Sequence, residues 1–237
     1  IQIQNLTKTY KKNTVIRNLN LDIQEGVITA LVGPNGSGKT TLLKCILGLT
    51  FPSKESKLLL AGVEYLKQDA IQEIGYMPQT PLFPLNLKVK EILEILETLE
   101  KKEPVFKEKI IEELEIKKFE NKYFGELSGG MKQKVNILQC FSSEKKFYII
   151  DEPTASLDPH ISFYLKNLLK ERKTMGSSIL FTSHIMSEVD EIADRVIVLV
   201  EGKLILHETP REILAKSKAS NMEEALRSFW MKEGKHA

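Results

Sequence analysis

The sequence predicts an α/β fold: a core with a mostly parallel sheet, further strands near the N-terminus and a helical segment inserted in the middle. Three observations carry this. Strand-length apolar runs alternate with helical stretches early in the chain and again after residue 144, the pattern of parallel strands joined by crossover helices. Residues 27–32 and 147–150 are continuously apolar apart from Thr29, as expected of strands covered on both faces. From Pro84 to Ser143, by contrast, the apolar period is helical throughout. At 237 residues the chain fits one large domain with a sub-domain. The divisions expected are a core of residues 1–83 and 144–209, a helical sub-domain of 84–143, and a helical tail of 210–237.

Taken in order, Ile1 to Gln4 alternates like a strand rather than opening a signal peptide, and the missing initial Met implies that the numbering starts inside the native protein. Leu19, Leu21 and Ile23 alternate with Asn18, Asn20 and Asp22, a half-buried strand closed by a turn at Glu25-Gly26. Residues 27–32 run into a glycine-rich loop and then a helix over 41–47. Strands follow at 58–60 and 74–77, the latter ended by Pro78. Val89, Ile92, Leu93, Leu96 and Leu99 fit one helix; Ile110, Ile111, Leu114 and Ile116 a second; Val135, Ile137, Leu138 and Phe141 a third. Strand character returns at 147–150, 178–182 and 196–200, with helices over 159–175 and 185–193. The tail reads as one or two short amphipathic helices.

Composition excludes several classes. Hydrophobic residues make up 42% and charged residues 28%, which argues against long disorder. A formal charge of +2 gives no electrostatic reason to expect nucleic acid as the main partner. No run approaches the ~18 apolar residues of a membrane span. Cys45 and Cys140 form no CxxC pair, so two buried thiols in a reduced compartment are expected, not a disulfide or zinc site.

Gly33-Pro34-Asn35-Gly36-Ser37-Gly38-Lys39-Thr40 matches G-x-x-x-x-G-K-[ST] between a buried strand and a helix, the context that confirms a phosphate loop. Glycines let the backbone wrap a phosphate with its N–H groups inward, and the helix presents its positive end to the same anion. Lys39 supplies a mobile charge to the β and γ phosphates, and the Thr40 hydroxyl can ligate Mg²⁺. The core is thus expected to be a P-loop NTPase. Asp151 and Glu152 close the strand at 147–150, at the carboxyl end where open α/β sheets bind ligands. Asp151 suits the Mg²⁺ shell and Glu152 suits polarising an attacking water.

At this point the chain resembles the ATP-binding subunits of ABC transporters over nearly its whole length. Leu127-Ser128-Gly129-Gly130 resembles the family signature and stands between the two ATP motifs. Downstream, Asp151-Glu152-Pro153-Thr154 is followed by Ala155-Ser156-Leu157-Asp158, similar to the D-loop, and then by Ser183-His184, similar to the switch histidine. Gln79 occupies the place of the Q-loop glutamine and Tyr10 that of the aromatic stacking on adenine. Met131 departs from the signature's usual Gln, as in export-type and lipid- or drug-resistance-type members. Lys134 stands where many relatives carry Arg, which keeps the charge but loses the fork.

The resemblance implies a RecA-like P-loop NTPase core with an N-terminal antiparallel β subdomain and an inserted α-helical subdomain, and an ATPase using ATP and Mg²⁺ in which two copies bind head to tail. ATP would lie between residues 33–40, with Thr41 behind, and the partner's Ser128-Gly129-Gly130. Tyr10 would stack on adenine; Thr40 and Gln79 would meet Mg²⁺, supported by Asp151; Glu152 would orient water; His184 would contact the γ-phosphate and hold Glu152. Asp158 would act across the dimer, although an Asp–Pro turn initiator is the simpler reading of Asp158-Pro159. His160, His207 and His236 read as surface.

A membrane permease is the implied partner, with the chain peripheral on the cytoplasmic face. Residues 81–85 (Pro-Leu-Phe-Pro-Leu) follow Gln79 and are unusually apolar for a loop. They suit either a groove for a membrane-subunit helix, with Phe83 at its centre, or core packing. The chain lacks the long C-terminal regulatory domain of sugar-importer relatives. Residues 221–226 resemble the tail of exporter ATPases with separate permeases, so an export system, or copper or nitrous oxide reductase maturation, is expected. The alternative is a soluble ABC-type ATPase on DNA or ribosomes. Against it, only short helices separate Lys39 from Asp151, and the chain holds one cassette. A phosphate-loop kinase would leave Leu127–Gly130 unexplained.

Overall fold

The computed structural model describes residues 1–60, 62–64, 71–153 and 157–233. Strands β1 (Gln2–Tyr10) and β2 (Asn13–Asp22) form an antiparallel hairpin, joined by β4 (Lys57–Leu60) and β5 (Val63–Glu64) into a four-stranded sheet ordered β2-β1-β4-β5. The second sheet has six strands. Here β3 (Ile28–Val32), β6 (Ile74–Met77), β7 (Phe147–Ile150), β8 (Ser178–Thr182), β9 (Arg195–Val200) and β10 (Lys203–Glu208) lie in the order β10-β9-β3-β8-β7-β6. All neighbours in it are parallel except the β9–β10 hairpin.

Period-2 geometry explains why the central strands are apolar throughout. Ile28, Ala30 and Val32 of β3 feed one core and Leu31 the other; in β9, Val196, Val198 and Val200 part from Ile197 and Leu199 in the same way. One core lies between the two sheets and takes in α1 (Lys39–Ile46) through Leu42, Leu43, Cys45 and Ile46. The other packs the opposite face against the remaining helices: α2 (Val89–Leu99), α3 (Lys107–Glu113), α4 (Gly129–Phe141), α5 (Pro159–Thr174), α6 (Met186–Ile192), α7 (Pro210–Ser217) and α8 (Met222–Glu233). No helix among the described residues is long and apolar enough to cross a membrane. Both cysteines are buried and unpaired, and burial pushes the Cys45 thiol up to about 11.

Three elements differ from the pattern reading. Asn5 and Asn18 sit at positive φ in the hairpin, whose register shifts there break the alternation of a strand longer than expected. The helix drawn through Ile116 stops at Glu113, because Glu115 adopts φ 54° and a 3₁₀ turn (Ile116–Lys118) folds Ile116 back into the core. Strand β10 escaped the pattern because it is an edge strand, half-buried over most of its length and without a clear apolar face.

The helical layer is fastened to the sheet at close range. Arg172 of α5, 1% exposed, lies with its guanidinium 3.5 Å from the Phe106 ring centroid and donates to the Phe141 carbonyl. Lys145 pairs with Glu100 at 2.7 Å. Gly75 in β6 allows the closest approach: a Cβ there would lie 2.7 Å from Tyr148 Cδ1 and 2.8 Å from the Cys140 carbonyl oxygen. Tyr148 cannot retreat, because its ring stacks on Phe141 at 4.8 Å. Gly75→Ala is therefore expected to cost about 1–3 kcal/mol of stability through overpacking. Thermal denaturation checks this: the midpoint falls by several degrees, and an unchanged midpoint contradicts the packing described.

Candidate functional site

The sheet order decides what meets at the site. Strands β3, β8, β7 and β6 are parallel neighbours, so the segments leaving their carboxyl ends converge. Those segments carry the glycine-rich loop, Thr182 to His184, Asp151 with Glu152, and Gln79 respectively.

After β3 the chain turns through Gly33 to Gly38. Gly36 and Gly38 take φ 80° and 104°, and a Cβ on Gly33 would fall 2.1 Å from the Leu199 carbonyl oxygen. The loop is tied to the β9–β10 turn by the Gly202 N–H donating to the Ser37 carbonyl, and a Cβ on Gly38 would lie 3.2 Å from the Val15 carbonyl oxygen of the hairpin that carries Tyr10. Lys39 is buried, and its ammonium donates to the loop's own Gly33 and Pro34 carbonyls at 2.7 and 3.2 Å. The Ser37 hydroxyl is buried with no hydrogen-bond partner. A backbone cradle that side chains would fill, an orphan hydroxyl and a buried cation satisfied only by carbonyls all suit a phosphate. Burial lowers the Lys39 pKa, opposed by the charges of Glu152 and Asp151. Thr40 and Thr41 lie in the first turn of α1, exposed and half-buried respectively.

The acidic pair is locked at the end of β7. The Asp151 N–H donates to the Met77 carbonyl, and the Thr182 hydroxyl donates to Asp151 Oδ1 at 2.7 Å while accepting the Glu152 N–H at 2.8 Å. Burial raises the Asp151 carboxyl above its usual pKa, opposed by the Thr182 hydrogen bond. Glu152 occupies the left-handed region at φ 48°. Its carboxylate is gripped on both sides: Gln79 Nε2 donates to Oε2 at 2.5 Å, and His184 Nε2 stands 2.5 Å from Oε1. Gln79 is itself held from behind, by Gln133 Nε2 donating to its carbonyl at 2.8 Å.

Gln79, Glu152 and His184 are thus joined directly, with Asp151 tied to Glu152 through Thr182 and Lys39 within reach of both acids' charge. Ser128, Gly129 and Gly130 stand apart from this group. Ser128 caps α4, accepting from the Met131 N–H at 3.3 Å, and is exposed; a Cβ on Gly129 or Gly130 would meet nothing within 4 Å. No hydrogen bond among the described residues joins these three to the glycine-rich loop. Asp158 caps α5 within its own chain, accepting from the Ile161 N–H at 3.0 Å, as a turn initiator would. Tyr10 is 42% exposed at the end of β1 with the Lys8 ammonium 4.8 Å from its ring. Phe83 is half-buried edge-on against Phe124, whereas Leu82 and Leu85 are 86% and 64% exposed. Thr154, Ala155 and Ser156 lie outside the described residues.

Pattern reading missed four contributors. Thr182, which joins the two acids, is visible only as a hydroxyl ending an apolar strand. Gln133 and Asn136 are visible only as polar residues on a buried helix face. Trp230, the sole tryptophan, lines a 580 Å³ cavity with Pro34, Asn35 and His184, and a 380 Å³ cavity with Asn35, Ser37 and Arg227.

Residues 16–155 match the model of the ABC transporter family. The chain is 32% identical over 206 residues to the lantibiotic transport ATP-binding protein SrtF of Streptococcus pyogenes, covering 87% of this chain and 89% of SrtF. It is 33% identical over 209 residues to the SkfA peptide export ATP-binding protein SkfE of Bacillus subtilis strain 168, covering 86% and 87%. Among solved structures, an ATP-binding subunit of an ABC transporter superposes with a TM-score of 0.89 at 25% identity, over 96% of this chain and 98% of that one. A dimeric cassette, MJ0796, in a post-hydrolysis state with ADP and Pi superposes with 0.76 at 27% identity, over 88% and 97%. The site geometry, the matched model and these relatives agree: the chain belongs to the ABC transporter family and is one of its ATP-binding, ATP-hydrolysing subunits.

Proposed function

We propose that this ATPase drives export through a separate membrane permease, by ATP-dependent closure of two copies head to tail on the cytoplasmic face. The observation that carries the reading is the separation of the two half-sites. Lys39, Glu152 and their neighbours stand together, while Ser128-Gly129-Gly130, a helix start with exposed backbone, makes no hydrogen bond to the phosphate loop among the described residues. A second copy supplies the missing half, as the dimeric cassette structure supports.

In this reading the loop N–H groups and Lys39 bind the β and γ phosphates. Negative charge arriving there favours the Lys39 ammonium and opposes the burial that lowers its pKa. Mg²⁺, held by Thr40 and Gln79 with Asp151 behind, would neutralise charge on the phosphate oxygens. Glu152 accepts a proton from, and orients, the attacking water; His184 holds Glu152 and reaches the γ-phosphate. Tyr10 stacks on the base, and Asp158 approaches the partner while capping α5. The γ-phosphate joins the two copies, hydrolysis releases them, and the permease feels the difference.

Export is supported by relatives named for lantibiotic transport and peptide export. We propose Leu82 and Leu85 as the permease contact; Phe83 packs on Phe124, whereas these two side chains are exposed. Two exposed leucines in one loop suit an apolar helix groove and offer nothing to a nucleic acid backbone.

Glu152→Gln is expected to lower turnover by at least about 100-fold while retaining ATP binding, read from Trp230 emission. ATP should then accumulate the variant as a dimer on a sizing column; wild-type turnover removes Glu152 from its role, and a monomer at saturating ATP contradicts the closure. The permease reading is checked by affinity purification of the tagged chain from detergent-solubilised membranes. A polytopic membrane protein should co-purify with the wild type and be lost in Leu82→Asp/Leu85→Asp, whose basal hydrolysis stays within about twofold of wild type. Undiminished recovery by the double variant refutes the assigned contact.

A further inference from the structure

We infer that Gln133 and Asn136 of α4 are positioning residues for hydrolysis, holding Gln79 in register with Glu152; this rests on the roles given above to those two residues. Strand β6 ends where its ladder must. The Asp151 N–H still donates to the Met77 carbonyl, but Pro78 has no N–H with which to continue. The carbonyls of Pro78 and Gln79 therefore need donors from elsewhere. Both come from one helix face: Asn136 Nδ2 donates to the Pro78 carbonyl at 2.8 Å, and Gln133 Nε2 to the Gln79 carbonyl at 2.8 Å. The two side chains are one helical turn apart and bonded to each other, Asn136 Nδ2 donating to Gln133 Oε1 at 3.0 Å, which fixes the Gln133 amide in its donating orientation.

Packing alone does not call for these amides. Asn136 is fully buried and Gln133 is 7% exposed, on a helix whose neighbours Val135, Ile137 and Leu138 are core residues. Asn136 even leaves its Oδ1 buried without a partner, a cost that an apolar residue would avoid. What the pair achieves is a continuous set of bonds. It begins on the helix capped by Ser128, passes through Gln133 to the Gln79 main chain, and continues through the Gln79 side chain to Glu152 Oε2. Because α4 lies so close to Gly75 in β6, a shift of the helix carries the Gln79 segment with it. Engagement of Ser128 by the partner's nucleotide is thereby felt at the acid of the same chain.

Gln133→Met keeps the volume and removes the donor. It is expected to lower kcat roughly tenfold with the KM for ATP within about twofold, since a misplaced Gln79 affects the reacting geometry and not nucleotide affinity. A double-mutant cycle separates positioning from general loosening. In a Gln79→Ala background, Gln133→Met should lower kcat no further. An equal fold loss in both backgrounds, or unchanged kcat in Gln133→Met alone, overturns the inference. Wild-type kcat in Gln79→Ala by itself instead removes Gln79 from the mechanism, and the inference falls with it. Should Gln133→Met fail to fold, Asn136→Ala in the same two backgrounds decides on the same criteria, because it removes both the donor to the Pro78 carbonyl and the bond that orients the Gln133 amide.

Discussion

The Glu152 carboxylate is held by both of its oxygens, and each hold comes from a different neighbouring strand. Gln79 leaves β6 and His184 follows β8, while Glu152 itself ends β7, which lies between them in the sheet. The carboxylate also depends on Thr182, whose hydroxyl satisfies the Glu152 N–H and Asp151 Oδ1 together. This permits a left-handed backbone at Glu152 that would otherwise cost about 1–3 kcal/mol. In its proposed role as base, Glu152 can orient water only if the loops on both sides keep their registers. Much of the remaining architecture serves that condition: the parallel strand order, the close packing of α4 on β6 at Gly75, and the glycine-rich loop pressed on Leu199.

The arrangement has two unequal parts. On one side Lys39, Asp151, Glu152 and His184 stand together on segments leaving neighbouring parallel strands. On the other, Ser128, Gly129 and Gly130 lie on the helical layer, joined to that group through side-chain hydrogen bonds to the Gln79 segment. In the proposed dimer this leaves the helical layer to answer a nucleotide held by the other copy, and the side-chain bonds carry that answer to the Gln79 segment. The tail helix α8 adds a third boundary, with Trp230 and Arg227 beside Asn35 and Ser37.

Much of this was legible in the chain because motif chemistry is local. The glycines, Lys39 and Thr40 occur as one contiguous run, and the buried strands announce themselves by unbroken apolar sequence. Asp151 and Glu152 are readable because they end such a run. Thr182, Gln133 and Asn136 were not readable, since their importance lies in which carbonyl or carboxylate a folded neighbour presents to them. Phe83 shows the same limit: its apolar character was clear, but only the position of Phe124 decides that Leu82 and Leu85, and not Phe83, face outward. Strand β10 and the break at Glu115 were missed because edge position and a left-handed turn are set by tertiary contacts.

The central claim is that two copies complete each site between them. A crystal structure of the Glu152→Gln chain grown with ATP and Mg²⁺ tests it most directly. The account predicts a two-fold pair in which the Ser128 hydroxyl of one protomer hydrogen-bonds the γ-phosphate bound at Lys39 of its partner. A triphosphate fully enclosed by a single protomer, with Ser128 of every copy remote from phosphorus, would contradict it.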